Sequence, residues 1–448
     1  MSRRPRLALA AVLALVAGPA AAQPCSDCLE AGAARVSLSV PAGAPLAGYG
    51  TAARRLLLPD VFGRHAHTFW FKPSQGERDA LAARALVLQF GGRRVAWVAV
   101  DLLAVDQTFT ADVGRRLRAA GVPPLTLVLS ASHTHSGPGA YVDSALFGWL
   151  ALDRLDGAIR AALLDAVVAA VRQADEARRP ARVASGSVAT PPLTTSRLGQ
   201  ALDPELLVLR VTSAGGAPIA MVWNYAIHGT MLGPRNLRLS ADVMGEASRR
   251  LEQALGAPVL FVNGAVGDVS PARHGEREMT TLGAELAGLA RAGWTQAEPI
   301  GTPTLAVAEL SAALPPPRVS AHNCLGGWAP RALTLPLGSA LPRETTLTAV
   351  AVGNVGWVTF PGELQTSLGR GIKNAGGARL RHTIVAGVTN DYLGYFVAAA
   401  DYDRPGYVTC ASVYGPSAGT CLAEAAAGLL DRAARGEPRP ATPVACDR

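Results

Sequence analysis

Apolar residues in this chain fall into short strand-like runs that alternate with longer stretches at helical spacing. Ala85–Phe90 and Arg94–Val100 are β-rich runs split by Gly91-Gly92, the mark of a hairpin. Thr110–Ala119 reads as a helix and Leu125–Leu129 as a strand, and a long amphipathic helix covers about Asp153–Glu176. Strands follow at Leu206–Val211 and Ile219–Tyr225. Ser240 is placed to cap a helix running to about Leu255, with Asp242 in its first turn. The remaining strands are Val259–Val262, Gly356–Phe360 and Thr383–Val388; the remaining helices are Met279–Ala292, Leu364–Lys373 and Leu422–Ala434. Hairpins mixed with strand–helix units predict an α/β fold, with mixed β-sheets flanked by outer helices in one large domain. No internal repeat is visible. Pro315–Pro342, rich in Pro and Gly, is the one internal boundary or long loop this pattern offers.

The first residues depart from that pattern. Arg3, Arg4 and Arg6 precede an apolar run, Leu7–Gly18, and then Ala20-Ala21-Ala22. This is the layout of a secretory signal peptide cut near Ala22, and the run is too short for a bilayer that takes about 20 residues. The expected organisation is a signal peptide over 1–22, one large domain over 23–435 and a tail over 436–448, in a secreted or periplasmic protein. Composition adds exclusions. The chain is 49% apolar and 17% charged, which rules out disorder and coiled coil. Its net charge of +8 is spread along the sequence without a basic run, so no nucleic acid is expected as partner. Six cysteines in an exported chain suggest disulfides, for which fifteen pairings exist. Cys410 and Cys421 bracket a short loop and form the first candidate pair. Cys25-Ser-Asp-Cys28 is readable as a disulfide or as a zinc or redox CxxC.

Chemistry-bearing residues cluster just after apolar strands. Leu125–Leu129 runs into Ser130-Ala-Ser-His133-Thr-His135-Ser-Gly-Pro138. On an extended strand, residues two apart share a face, so both histidines can enter one site and suit a divalent transition metal. Two solvated histidines at a strand end would look the same. His65-Ala-His67 lacks a preceding apolar strand and is background. His228 ends the strand-like run Val222–Ile227. In Phe261–Pro271, Ser270 is either a nucleophile or the cap of a helix opening at Pro271; it is not a G-x-S-x-G elbow. Glu363, in Pro361-Gly362-Glu363, enters a helix whose first turn would hold a carboxylate ionised. Asn390-Asp-Tyr-Leu-Gly-Tyr395, with Tyr402 and Tyr407 downstream, suggests a polar-tipped binding wall.

Taken in order, these motifs resemble the neutral/alkaline non-lysosomal ceramidases, specifically their N-terminal catalytic domain. The resemblance runs from Gly48-Tyr49-Gly50 through His133–Gly139, Trp223–Thr230, Ser240-Ala-Asp242, Gly267–Pro271 and Pro361–Leu364 to Asn390–Tyr395 and Tyr414-Gly-Pro416. It implies an α/β catalytic domain that holds one zinc ion per chain through His133, His228, Glu363 and Tyr395. His135 would be the companion histidine that moves protons, Arg197 would steady the oxyanion, and Ser270 would be a nucleophile or a supporting group. The implied activity is secreted, zinc-dependent hydrolysis of the N-acyl amide of ceramide or a related lipid amide to a fatty acid and an amine. Transient contact with a membrane surface is compatible with such a substrate. The Arg197–His228 and Ser270–Glu363 segments are shorter than in the family, and its following β-sandwich domain is expected to be missing. An amidase or esterase for another N-acyl substrate, and a zinc-stabilised binding protein without turnover, are the rival readings.

Overall fold

A computed structural model describes residues 28–377, 379–437 and 443–446. The signal-peptide expectation over 1–22 and Cys25 lie outside the described residues. Two sheets lie face to face with helices on both outer surfaces. The first holds β1 (Glu30–Ser37), β2 (Ala82–Phe90), β3 (Arg93–Val100), β4 (Thr126–Ala131), β5 (Arg179–Ala189), β6 (Glu205–Ser213), β7 (Pro218–Tyr225) and β8 (Val259–Asn263). Their order is β4-β3-β2-β1-β5-β6-β7-β8, and Glu298–Pro299 pairs with β5 as a ninth strand. The β3–β4 and β7–β8 contacts are parallel and the others antiparallel. The second sheet holds β9 (Leu305–Ala313), β10 (Glu344–Val352), β11 (Val355–Thr359), β12 (His382–Ala386) and β13 (Val444–Ala445), in the order β12-β11-β10-β9-β13. The fold is therefore α/β with mixed sheets.

Alternation along the strands builds the layers. In β2, Ala83, Ala85 and Val87 pack outward beneath α1 (Gln107–Ala119) and α2 (Gly157–Glu176), while Leu86 and Leu88 face the second sheet. Both faces are covered, so the run is continuously apolar instead of alternating. On the other half of this sheet, α3 (Asp242–Leu255) and α4 (Glu276–Gln296) cover β6, β7 and β8. The outer face of the second sheet is covered by α5 (Thr366–Gly376) and α6 (Gly415–Ala434). Between the sheets, the rings of Trp97 and Trp357 stack at 4.5 Å. Gly32 in β1 lets α2 approach closely: a Cβ there would sit 2.1 Å from the Ala174 carbonyl oxygen.

Several local expectations are corrected. Ser240 does not cap α3; Ala241 stands at the N-cap, and the Ser240 hydroxyl donates to Asp79 at 2.6 Å while accepting from the Asp242 N–H. Pro315–Pro342 is largely loop, as one of its two readings expected. It carries a short hairpin, Arg318–Ser320 with Thr334–Pro336, and Cys324 is bridged to Cys410. Cys421 pairs with Cys446, so the expected Cys410–Cys421 bond does not form. Cys410 and Cys421 sit on successive helices, and each finds a partner from a distant segment instead. Cys28 is also disulfide-bonded. Among the described residues, no helix is long and apolar enough to cross a membrane.

Asp391 joins the layers. Its carboxylate accepts from the Gln107 N–H at the start of α1 and from the Thr345 hydroxyl on β10. Burial pushes this carboxyl up to about 6, against the opposing hydrogen bonds from Thr345, Tyr392 and Gln107. A raised folded-state pKa means that stability is complete below the ordinary value of 3.8 and lost as pH rises through about 6. Asp391→Asn keeps the shape, and the Thr345 hydroxyl can reverse to accept from the new amide. The variant is expected to match the parent near pH ~4 and to exceed it by about 1–3 kcal/mol near pH ~7.5, in urea denaturation. A stability difference independent of pH would refute this account.

Candidate metal centre

The loops that leave the carboxyl ends of β4, β7, β11 and β12 converge on one point. His133 and His135 follow β4, but β4 stops at Ala131, so strand alternation is not what aligns them. His133 turns into the left-handed region (φ 66°), and Thr134 pairs with Gly229 in a parallel bridge. The His135 N–H donates to the Gly229 carbonyl at 2.9 Å. This ties the histidine loop to the loop carrying His228. Asn263, at the end of β8, fastens the same two loops by donating to the carbonyls of Ser132 (3.2 Å) and Ile227 (2.9 Å). A backbone held at positive φ in a non-glycine residue costs of order 1–3 kcal/mol and persists only where the surroundings over-determine it. Here they do.

Glu363 is not in a helix. It lies on a two-residue strand, Glu363–Leu364, paired in parallel with Tyr395–Phe396, and α5 begins three residues later. The pairing sets Glu363 beside Tyr395 in register. Burial alone would raise the Glu363 carboxyl, but the imidazoles of His133 and His228 outweigh it and hold it well below the usual carboxylate range. Glu363 stands on a strand pair, so the helix dipole expected at a first turn is not what acts on it.

Glu363 Oε1 lies 3.3 Å from His133 Nε2, and Oε2 lies 3.0 Å from His228 Nε2. Those are hydrogen-bond lengths, yet His133 Nε2, His228 Nε2 and Glu363 Oε2 are all buried without a hydrogen-bond partner. Donor atoms about 2.0–2.1 Å from a common tetrahedral centre lie roughly 3.3 Å from one another, which is the spacing seen. Lone pairs that face a shared empty point, rather than each other's protons, fit a cation. Tautomers agree. His133 Nδ1 is 2.8 Å from the Leu103 carbonyl and His135 Nδ1 is 3.1 Å from that of Gly48, so both rings keep Nδ1–H and turn a bare Nε2 inward. Gly48 is needed for this contact: its φ is +101°, and a Cβ would meet the His135 ring at 2.6 Å. The nitrogens of His133, His135 and His228 lie within 4.8 Å of one another. Burial pushes His135 well below its ordinary value and His228 to about 3, helped by neighbouring His133 and Arg197 respectively. Both are neutral at physiological pH.

The second half of the site comes from a small strand pair. Val269–Pro271 runs antiparallel to Thr194–Ser196, so no helix opens at Pro271 and the capping reading of Ser270 is withdrawn. The pair presents Arg197 to Ser270: its Nε donates to Ser270 Oγ at 2.8 Å, and Nη1 donates to the Tyr395 hydroxyl at 3.2 Å. Asp268 does not serve Ser270. Its carboxylate accepts from the Thr366 N–H and hydroxyl at 2.7 and 2.8 Å and from Ser196 at 3.3 Å. Burial, with Glu363 nearby, keeps the phenols of Tyr392 and Tyr395 well above their ordinary value. Sequence reasoning passed over Tyr392, whose hydroxyl donates to Glu363 Oε1 at 2.7 Å, and Asn263. The Asn390–Tyr395 motif held the first signal; the second had none beyond its place at a strand end. His67 of the background pair sits 2.9 Å from Asp156, far from this cluster in role.

A cavity of about 590 Å³ opens from His133, His135 and Glu363. Tyr392, Tyr395 and Tyr407 line it near the cluster, whereas Phe147, Trp149, Leu337 and Leu341 make the rest apolar. One end is polar through the histidines, Glu363 and the tyrosines; the other would accept a hydrocarbon chain.

The chain is similar in sequence and in fold to known proteins. Residues 72–285 match the family described as neutral/alkaline non-lysosomal ceramidase, N-terminal. That interval contains His133, His135, Arg197, His228 and Ser270, while Glu363 and Tyr395 lie beyond it. The chain is 28% identical to the neutral ceramidase of Pseudomonas aeruginosa over 211 residues, 42% of this chain and 31% of that protein. It is 26% identical to the neutral ceramidase of Mycobacterium tuberculosis over 228 residues, 44% of this chain and 36% of that one. The matched part thus spans about a third of the length of these curated relatives. The fold is shared with the crystal structure of the neutral ceramidase from Pseudomonas aeruginosa: TM-score 0.78, 19% identity, 93% of this chain and 76% of that one. A ceramidase complexed with C2 gives the same TM-score at 18% identity, over 93% and 77% of the two chains.

Proposed function

We propose that this chain, whose residues 72–285 match the neutral/alkaline non-lysosomal ceramidase family, is a zinc-dependent amidohydrolase acting on the N-acyl bond of ceramide or a closely related lipid amide. The observation that carries this reading is the set of unpartnered imidazole and carboxylate atoms at the head of an apolar cavity. His133, His228, Glu363 and Tyr395 would hold the ion. When bound, zinc would polarise the amide carbonyl and lower the pKa of water.

The protein's own groups supply the rest. His135, neutral and with Nε2 bare, takes a proton from the attacking water and returns it to the leaving amine. Arg197, which donates to Ser270 and Tyr395, would supply N–H donors to negative charge on the tetrahedral oxygen. Ser270 accepts from Arg197 and touches no base, so it positions the guanidinium and does not attack. The apolar walls seat the acyl chain and exclude water. The direct test is turnover on a panel of N-acyl compounds, ceramide, N-acyl amino acids and simple fatty amides, with zinc measured on the same sample and enzyme quenched during turnover. Ceramide is expected to lead, with no acyl adduct. Full zinc with no hydrolysis of any lipid amide would make this a binding protein, and a fatty-acyl adduct on Ser270 would replace the water route.

Tyr392 is the carboxylate's outer partner. Metal sites lose about 10–100-fold in affinity or activity when such partners go. Tyr392→Phe is expected to weaken zinc binding by about 10-fold, read by competition with a chelating dye. Unchanged zinc affinity would leave Tyr392 as packing against Phe147 alone.

A further inference from the structure

Three segments supply lining residues to the cavity and also expose large apolar side chains: residues 51–67, 144–155 and 318–337. In the first, Leu57 is 98% and Phe62 85% exposed, with Leu58 also exposed. Trp149 and Trp328, the latter 79% exposed, belong to the other two. The first segment is held in place and cannot turn its tips inward. Leu56 N–H donates to the Trp70 carbonyl at 3.0 Å, Asp60 N–H to that of Phe69 at 2.8 Å, and Lys72 N–H to that of Arg54 at 2.8 Å. It is joined to the second through Arg55, which hydrogen-bonds the Trp149 carbonyl and lies over that residue's ring at 5.1 Å.

Their charges are of one sign. The only acids in the three segments are Asp60 and Asp153, both buried and turned onto backbone N–H groups, Asp60 onto Arg64 and His65, Asp153 onto Phe69, Trp70 and Phe71. What remains exposed is Arg64, Arg154, Arg318 and Arg331. Acids from elsewhere reach the segments at two points, Asp156 at 2.9 Å from His67 and Asp403 at 3.5 Å from Arg331, and the exposed Asp143 directly precedes the second segment. Arg64 and Arg331 are paired with Asp60 and Asp403, which leaves Arg154 and Arg318 without a carboxylate partner among the described residues. Apolar tips beside such free guanidinium groups fit an interface of hydrocarbon beneath anionic headgroups. A water-facing surface has no use for Leu57 at full exposure, and a protein partner would match some of the arginines with acids of its own.

We propose that these segments seat the protein on an anionic lipid bilayer, with Leu57, Phe62 and Trp328 in the headgroup–acyl boundary and the cavity mouth facing the membrane. This rests on the reading that the cavity takes a lipid amide, which would then enter without crossing water. The test uses the purified chain and phosphatidylcholine vesicles with and without phosphatidylglycerol, free of ceramide. The chain is expected to sediment with the anionic vesicles and less so at high salt. Leu57→Asp with Phe62→Asp should weaken this by about tenfold or more, and Trp328→Ser by less, with melting temperatures retained. Hydrolysis of a detergent-dispersed N-acyl substrate should be unchanged in both variants. Failure to sediment, or equal sedimentation of parent and variants, overturns the proposal. So does a shift from dimer to monomer in the double variant, which would make the patch a face between copies of this chain. Vesicle binding that depends on these residues, in a protein that hydrolyses no lipid amide, would uphold the docking surface and remove the proposed function instead.

Discussion

Glu363→Gln is expected to lose the metal and the hydrolytic activity together. The carboxylate faces His133 Nε2 and His228 Nε2 at 3.3 and 3.0 Å, with its own Oε2 unpartnered. Glutamine preserves the volume but turns one of these lone pairs into an N–H and removes the negative charge that balances the cation. Loss of a direct donor should exceed the ~10–100-fold cost of losing an outer partner. Zinc per chain after dialysis against a weak chelator, with activity on the same fraction, reads both. His228→Ala should behave the same way. If both variants kept full zinc, the donors would have to be the three histidines alone, a set whose nitrogens also lie within 4.8 Å of one another.

His135→Ala separates the two roles within the histidine pair. His135 has no contact of hydrogen-bond length with Glu363, while His133 and His228 have one each. The variant should therefore retain zinc and lose about 10²–10⁴-fold in rate, the range for removal of a general acid–base group. Loss of zinc as easily as in His133→Ala would mean that the assignments are reversed.

How much of this was legible in the sequence follows from where its signals arise. Strands with β-branched or aromatic residues, such as Arg93–Val100 and Pro218–Tyr225, were placed to within a few residues. Glu30–Ser37 and Leu305–Ala313 were not, because alanine is their commonest residue and intrinsic preference points elsewhere; pairing and burial between layers decide their form. The candidate donors were visible as polar residues that interrupt apolar runs. Their geometry was not. A left-handed turn at His133 replaced strand alternation, and a parallel bridge to Tyr395 replaced the helix start at Glu363. The disulfides were illegible, since Cys324 meets Cys410 across a sequence separation of 86 and nothing local marks that approach.

The proposed donors stretch from position 133 to position 395 and come from loops of two different sheets. No stretch of chain carries two of them at close spacing, as a helical H-E-x-x-H site would. An ion therefore has no partial site to nucleate on while the chain is still collapsing, and it is captured only once both sheets have docked. Its full binding free energy acts on the native state and almost none on the denatured ensemble, so loading raises the apparent melting temperature by simple mass action. Contacts this remote in sequence also slow folding, because loop closure must come before they form. Metal uptake can then serve as a clock for the last step of assembly.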